Sequence, residues 1–445
     1  MPQRSLACVI LAAGKGTRMK SDLPKVLHKI AGRSMIGHVL AATAALDPDH
    51  ILIVTGPNMD AVSAAVTPYP TVIQVNQLGT GDAVRAAAET LRGFNGDVLV
   101  LYGDTPLITE ATLRRMIEAR RAARDPAVVV LGMRPADPGA YGRVIVGTDG
   151  GVERIVEFLD ATPEQRAVGL CNGGLMAFDG ARLFGLLDRV RNDNAKGEFY
   201  LTDVVALARA DGAMVGVVEA PAEELSGVNS RVELAEVEKL IQTRLRRAAM
   251  LNGATLTDPD TTYFTFDTKL GRDVVVGPQV VFGPGVTIAD RVEIRAFCHL
   301  EQTTVETGAQ IGPYARLRPG AAIGPDAHIG NFVEIKNATV AAGAKVNHLT
   351  YIGDATIGAK ANIGAGTITC NYDGTFKHHT EIGAGAFIGS NTALVAPVSV
   401  GAGAIVGAGS VITIDVAPDA LAVARGRQQS FDGWAERFRK SRAKK

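Results

Sequence analysis

The chain has 445 residues, enough for two or three domains and a large buried core. Lys plus Arg and Asp plus Glu balance at 46 each, so no global field recruits nucleic acid or an anionic membrane, and a polyanionic ligand must be gripped locally. Cys8, Cys171, Cys298 and Cys370 form no C-x-x-C pair, which argues against a zinc site and a disulfide scaffold and for thiols kept in a reducing compartment.

In chain order, the first apolar run is Leu6 to Ala13, which has the length of a short signal-peptide core. It passes directly into Gly14-Lys-Gly-Thr-Arg-Met-Lys20, which reads as a strand entering a functional loop, so the expectation is cytoplasmic residence. No apolar run approaches the roughly eighteen residues that span a bilayer, which predicts no membrane insertion. Ile51 to Thr55, Val72 to Val75, Val98 to Leu101 and Val128 to Met133 follow, alternating with Ala-rich helical stretches. That alternation predicts a mostly parallel sheet covered on both faces, with ligands gathering at the carboxyl ends of its strands. Gly14 and Gly16 let backbone N–H groups approach phosphate oxygens, and Lys15, Arg18 and Lys25 supply positive charge. Alone, a Gly-rich turn after a strand is also compatible with an ordinary turn. Val98 to Asp104 reads as a buried strand ending on a carboxylate suited to a hard cation such as Mg²⁺, although Asp there also suits a helix cap.

Val237, Leu240, Ile241, Leu245 and Ala248 recur at helical spacing between Arg231 and Leu251, and Asn252-Gly253 ends that helix. From about Val276 to Val411 an aliphatic residue, usually followed by Gly, returns at nearly every sixth position, as in Ile323-Gly324, Ile329-Gly330, Ile382-Gly383 and Ile388-Gly389. This repeat predicts a parallel β-helix whose aliphatic residues stack from coil to coil, with Gly and small residues at the corners. The pattern slips near Val340 and breaks at Cys370 to Thr380, an excursion that must leave through a corner. The last stretch, Arg425 to Lys445, is a basic tail. Hexapeptide solenoids serve acyltransferases and plain oligomerisation platforms alike, so polar residues that break the pattern decide the chemistry. His348 is the candidate general base, since acylating an amine requires removal of a proton near neutrality, where imidazole titrates, although a solitary His in a strand also suits a satisfied surface or core residue.

Leu11-Ala-Ala-Gly-Lys-Gly-Thr-Arg-Met19 with Pro24-Lys25 resembles the signature of the sugar-1-phosphate nucleotidyltransferases. Joined to the hexapeptide half, to Gln74, Gly79-Thr80, Tyr102-Gly103-Asp104, Tyr141-Gly142-Arg143, Ile155-Val-Glu157, Asn172 and Asn229-x-Arg231, and to Asn347-His348-Leu-Thr-Tyr351, the likeness narrows over the full length. It is to the family of bacterial bifunctional N-acetylglucosamine-1-phosphate uridyltransferases and glucosamine-1-phosphate acetyltransferases. One departure is Cys171-Asn172-Gly-Gly, where the family commonly has Asn-Thr-Gly.

The resemblance implies a Rossmann-like α/β nucleotidyltransferase domain at 1–230, a linker helix at 231–253, a left-handed parallel β-helix acetyltransferase domain of hexapeptide repeats at 254–424 and a basic tail at 425–445. It implies a homotrimer, with acetyl-transfer sites between subunits, that uses Mg²⁺, UTP and acetyl-CoA and acts on sugar phosphates for peptidoglycan and lipopolysaccharide synthesis. Leu11, Ala12, Ala13, Gly14, Lys25, Gln74, Gly79 and Thr80 would hold the nucleotide, with Tyr102 and Gly103 beside them. Gly142, Glu157 and Asn172 would contact the sugar, and Asp104 with Asn229 would ligate Mg²⁺. Lys25 and Arg18 would stabilise the charge transferred with phosphorus, a reaction that needs positioning and charge neutralisation more than a base. In the second half Arg318, Lys336, Tyr351 and Asn362 would bind sugar phosphate, and Ala365, Asn371, Tyr372, Ser390, Ala408 and Arg425 would bind acetyl-CoA. Phe264 to Gln310 matches loosely, leaving the number of coils open, and His378 and His379 receive no role. The alternatives are a single-activity nucleotidyltransferase with an inert β-helix, and a catalytically silent regulatory protein built from the same two domains.

Overall fold

The computed structural model describes residues 4–443. The chain divides into two compact units, with the boundary between Gln242 and Thr243. In the first, a sheet runs Val215–Glu219, Val128–Met133, Cys171–Asp179, Asp97–Tyr102, Leu6–Leu11, His50–Thr55, Thr71–Ile73 across its width. The central strands are buried along their length, which is why they read as unbroken apolar runs rather than alternating ones. One strand departs from the parallel expectation. Cys171–Asp179 lies antiparallel to both neighbours, with a register shift between Asn172 and Met176. Reversal brings the start of this strand, not its end, to the edge where the parallel strands finish. Arg143–Val146 and Val152–Val156 add an antiparallel hairpin.

The Arg231–Leu251 helix matches the range predicted from its spacing. Its first turn is closed by a reciprocal cap: Glu233 N donates to Ser230 Oγ at 3.3 Å, and Glu233 Oε2 accepts from Ser230 N at 2.9 Å and Asn229 N at 2.5 Å.

The second unit is a parallel β-helix of short strands stacked from Thr255–Leu256 to Leu421–Ala422. Val275 lies beside Glu293 and Glu293 beside Gln310, so a circuit takes 18 and then 17 residues. The segment that matches loosely in sequence, Phe264 to Gln310, is therefore regular in space. Aliphatic residues such as Ile311, Ile329, Val346 and Ile363 point into one continuous core. Deleting such a side chain ordinarily costs about 2–5 kcal/mol, a penalty that keeps the aliphatic phase.

Some corners carry Gly at positive φ as expected, among them Gly308, Gly343, Gly385 and Gly403, but one line of corners does not. Phe297, Tyr314, Phe332 and Leu349 all take positive φ, between 52° and 62°, one per coil. Gly after the aliphatic residue answers a different need, close approach: a Cβ on Gly324 would stand 2.9 Å from the Val340 carbonyl oxygen of the next coil. The slip near Val340 corresponds to two long strands, His328–Val340 and Lys345–Ile357, paired to each other along their length.

Candidate active sites

At the carboxyl end of Leu6–Leu11 a cavity of about 410 Å³ opens, lined by Leu11 to Gly14, Lys25, Gln74, Gly79, Thr80, Tyr102 and Asp104 among others. Strand order explains the convergence, because Leu6–Leu11 lies between Asp97–Tyr102 and His50–Thr55 and its exit loop faces the ends of both. Gly103 N fixes the junction by donating to the Leu11 carbonyl at 2.9 Å. Gln74 braces the far wall: its Nε2 donates to the Gly79 carbonyl at 2.9 Å and to Asp82 Oδ2 at 2.8 Å. Gly79 has φ 112°, a conformation that disfavours a side chain, and a Cβ there would collide with the Phe199 backbone.

Lys25 joins two polar groups of the site. Its ammonium forms an ion pair with Asp104 and donates to Asn229 Oδ1 at 3.0 Å, so two residues 125 positions apart share one cation. Asn229 in turn sits on the cap of the Arg231–Leu251 helix and lines a second cavity of about 600 Å³ with Asn172, Gly173, Gly174 and Tyr141. Asn172 N donates to the Gly142 carbonyl at 2.8 Å, and a Cβ on Gly142 would stand 3.4 Å from both Glu157 carboxylate oxygens. Gly142, Glu157 and Asn172 are thereby brought together as one wall. Burial raises the Glu157 pKa, and neighbouring Asp160 and Glu198 add to that against the hydrogen bond from Thr202. Tyr102 is likewise pushed upward, by burial first and then by the charges of Glu157 and Asp104. Arg18 stands exposed and lines neither cavity, whereas Lys15 lines the first.

Asp203 opens the helix Asp203–Ala210, where the helix dipole favours an anion. Burial and the charges of Glu157 and Asp160 nevertheless push its carboxyl from 3.8 up to about 6. A carboxyl with a raised folded pKa stays protonated in the native state between those values, so the native state loses stability as pH rises from about 4 to about 6. Asp203→Asn removes this term. Its thermal midpoint, measured against wild type, is expected to gain as pH is raised through that window and to hold the gain above it; a constant difference from pH 4 to pH 7 would count against the assignment.

On the β-helix, His348 sits where Lys345–Ile357 turns a corner at Leu349. Its Nδ1 lies 2.8 Å from Asn331 Oδ1 on the preceding coil. Arg316, Glu334, Tyr351 and Ile368 are successive register partners on the face beyond that corner, and Asn362 pairs with Lys345 on the face before it. Arg318 reaches the same region, its Nη1 donating to Glu334 Oε1 at 2.7 Å.

A second line of contacts continues the His348 corner along the stack. Gly366 N donates to the His348 carbonyl at 3.1 Å, Asn391 N to Ala365 at 2.7 Å, Gly409 N to Ser390 at 2.8 Å, and Arg425 Nη1 to Ala408 at 2.6 Å. Ala365, Ser390, Ala408 and Arg425 thus form one ladder with the backbone of His348 at its head. Asn371 and Tyr372 lie on the excursion from the coils, with Asn371 buried and its amide donating to Asp354. Asp354 also accepts from Asn337 Nδ2 at 2.5 Å. Burial raises the Asp354 pKa, but these two donors together with the charges of Lys377 and Lys336 outweigh it and hold the carboxyl below its ordinary value. In sequence Asn331 and Asp354 stand out only as polar residues that break the aliphatic repeat, and Lys377 only as a cation inside the loop that interrupts it; none of the three receives a role there.

The chain matches a family model for the MobA-like NTP transferase domain over residues 8–163, one for the GMPPB C-terminal domain over 299–373, and one for the bacterial transferase hexapeptide over 267–302 and 379–413. It is 63% identical over 445 residues to the bifunctional protein GlmU of Paramagnetospirillum magneticum, covering 100% of this chain and 99% of that protein. It is 65% identical over 433 residues to that of Rhodospirillum rubrum, covering 97% of each chain. With the protein of the same name from Sphingopyxis alaskensis it shares 55% identity over 442 residues, 99% of this chain and 98% of that one. Full-length likeness at this level, over both units and both candidate sites, means that the chain belongs to the family of the bifunctional protein GlmU.

Proposed function

We propose that the chain makes UDP-N-acetylglucosamine in two steps. Acetyl-CoA first acylates the amine of glucosamine-1-phosphate on the second unit. The phosphate oxygen of the N-acetylated sugar then attacks the α-phosphorus of UTP on the first unit and expels pyrophosphate. The observation that carries the reading is the grouping of matched residues, scattered from Leu11 to Arg425 in sequence, around two cation-bearing or imidazole-bearing centres.

In the first site the backbone of Leu11 to Gly14 and the Gln74–Gly79 wall bound the cavity for the nucleotide, while Gly142, Glu157 and Asn172 orient the sugar. Asp104 and Asn229 offer a carboxylate and an amide oxygen, hard donors that already share a positive charge from Lys25, so the pair fits Mg²⁺. Among the described residues no group of three His, Cys, Asp or Glu could hold a metal, so an ion at Asp104 and Asn229 would need its remaining ligands from water and substrate phosphate. Bound there, Mg²⁺ supplies charge neutralisation on the phosphates. Lys25, beside both donors, would meet the phosphate charge.

In the second site Asn331 Oδ1 accepts from His348 Nδ1, which leaves the Nε2 lone pair free to take the amine proton as nitrogen attacks the thioester carbonyl. The coenzyme A thiolate leaves. Arg318, Lys336, Tyr351 and Asn362 hold the sugar phosphate, and the Ala365–Ser390–Ala408–Arg425 ladder with Asn371 and Tyr372 holds the coenzyme. The exposed stack Phe297–Tyr314–Phe332, with ring centroids 4.8 and 5.1 Å apart, adjoins a cavity shared with Arg316, Glu334 and Tyr351 and supports assembly as a homotrimer whose acetyl-transfer sites lie between copies. No helix among the described residues is long and apolar enough to cross a membrane; we assign the enzyme to the cytoplasm, supplying cell-wall precursors.

Two half-reactions test the proposal on the full chain. Free thiol is expected from acetyl-CoA with glucosamine-1-phosphate in the absence of UTP, and pyrophosphate from UTP with N-acetylglucosamine-1-phosphate in the absence of acetyl-CoA. Pyrophosphate without thiol would leave a one-activity enzyme on an inert β-helix.

A further inference from the structure

The excursion between Cys370 and Thr380 is a small hairpin of its own. His378 N donates to the Asn371 carbonyl at 2.8 Å, and Tyr372 and Lys377 form an antiparallel bridge. One side chain closes its turn: Asp373 Oδ1 accepts from Thr375 N at 2.8 Å and Phe376 N at 2.7 Å, while Oδ2 lies 2.7 Å from His378 Nε2. Tyr372 OH donates to the Gly374 carbonyl at 2.6 Å. These bonds run within the hairpin, whereas its base is tied to the coils by Asn371 on Asp354. The hydrogen bond from His378, followed by those from the two backbone N–H groups, holds the Asp373 carboxyl down to about 2, so it remains an acceptor at neutral pH.

Holding this hairpin closed has a chemical result on its second strand. Lys377, one residue before His378, stands on the strand that bridges to Tyr372, and the base of the hairpin is tied to Asp354, the neighbour of Gly353, which is the register partner of Lys336. The hairpin thus stands beside the coil that carries Lys336, and the positive charge of Lys377 lowers the Lys336 pKa. Like charges held side by side are costly until an anion lies between them. A phosphate ester is the anion the proposed reaction brings.

We propose that His378 is a positioning residue for acetyl transfer: through Asp373 it locks the hairpin in the shape that keeps Lys377 opposite Lys336, and so preforms the grip on the sugar phosphate. This rests on the reading of the second unit as an acetyltransferase. His348 is oriented by Asn331 on the coils and not by the hairpin, so the lock acts on binding and not on proton transfer.

His378→Ala is expected to raise KM for glucosamine-1-phosphate about three- to tenfold, the usual gain from preordering a side chain, with kcat within about twofold. His378→Gln, which keeps a donor near the Nε2 position, is expected to restore most of the loss. Asp373→Ala should resemble His378→Ala, and the double variant should add little, as for two members of one interaction. Uridyl transfer by the same preparations reports that each variant has folded. An unchanged KM in His378→Ala, or a fall in kcat alone, or no rescue by Gln, overturns the inference while leaving the acetyltransferase reading in place. Absence of acetyl transfer by the unaltered chain overturns both.

Discussion

Asp104→Ala is expected to cut pyrophosphate release from UTP by about 10²–10³-fold, the scale of removing one preorganised stabiliser of transition-state charge. Acetyl transfer by the same protein should stay at the wild-type level. The carboxylate lies just past the end of the buried strand Asp97–Tyr102, so its loss removes charge from the cavity without opening a core. It also leaves Lys25 with Asn229 as its remaining polar partner among the contacts described above. Asp104→Asn separates charge from shape: it keeps the volume, and a comparable loss would locate the effect in the negative charge. Pyrophosphate release at the wild-type rate by either variant would remove Asp104 from the site.

The second large effect falls on the other unit. His348→Ala is expected to slow acetyl transfer by about 10²–10⁴-fold, the range for a positioned general base, with uridyl transfer unchanged. Asn331→Ala is the companion measurement, because Asn331 holds the imidazole without reaching its Nε2. It should lower kcat by less than the His348 substitution, through a ring that is no longer oriented. Equal rates for wild type and His348→Ala would mean that the amine loses its proton to another group.

The parts of this arrangement visible in sequence are those imposed by backbone periodicity and by glycine. Fully buried parallel strands read as unbroken apolar runs, and a coil of 17 or 18 residues prints its aliphatic residue every sixth position. Val128–Met133 and Arg231–Leu251 match their predicted limits for this reason. The reversed strand Cys171–Asp179 left no comparable mark, because nothing in a short apolar run states its direction. Inspecting the residues after each strand would have passed over Asn172, which lies at the beginning of one. Asn172 came instead from the family likeness. Corners occupied by Phe297, Tyr314, Phe332 and Leu349 were equally illegible, since positive φ runs against the preference of a bulky residue, and the ring stacking of Phe297, Tyr314 and Phe332 exists only once the coils are formed. The partnership of Asp373 with His378 was hidden for a simpler reason: it depends on a turn whose shape the residues acquire only together.

The hairpin that departs after Cys370 leaves the stack undisturbed. Ala355 pairs with Thr380, whereas circuits such as Val275 to Glu293 and Glu293 to Gln310 close after 18 and 17 residues, and aliphatic Ile382 then falls directly on Ile357. Extra length is absorbed outside the coil, so the next layer starts in phase. The loop can therefore lengthen, shorten or change composition over evolutionary time without the scaffold having to be retuned.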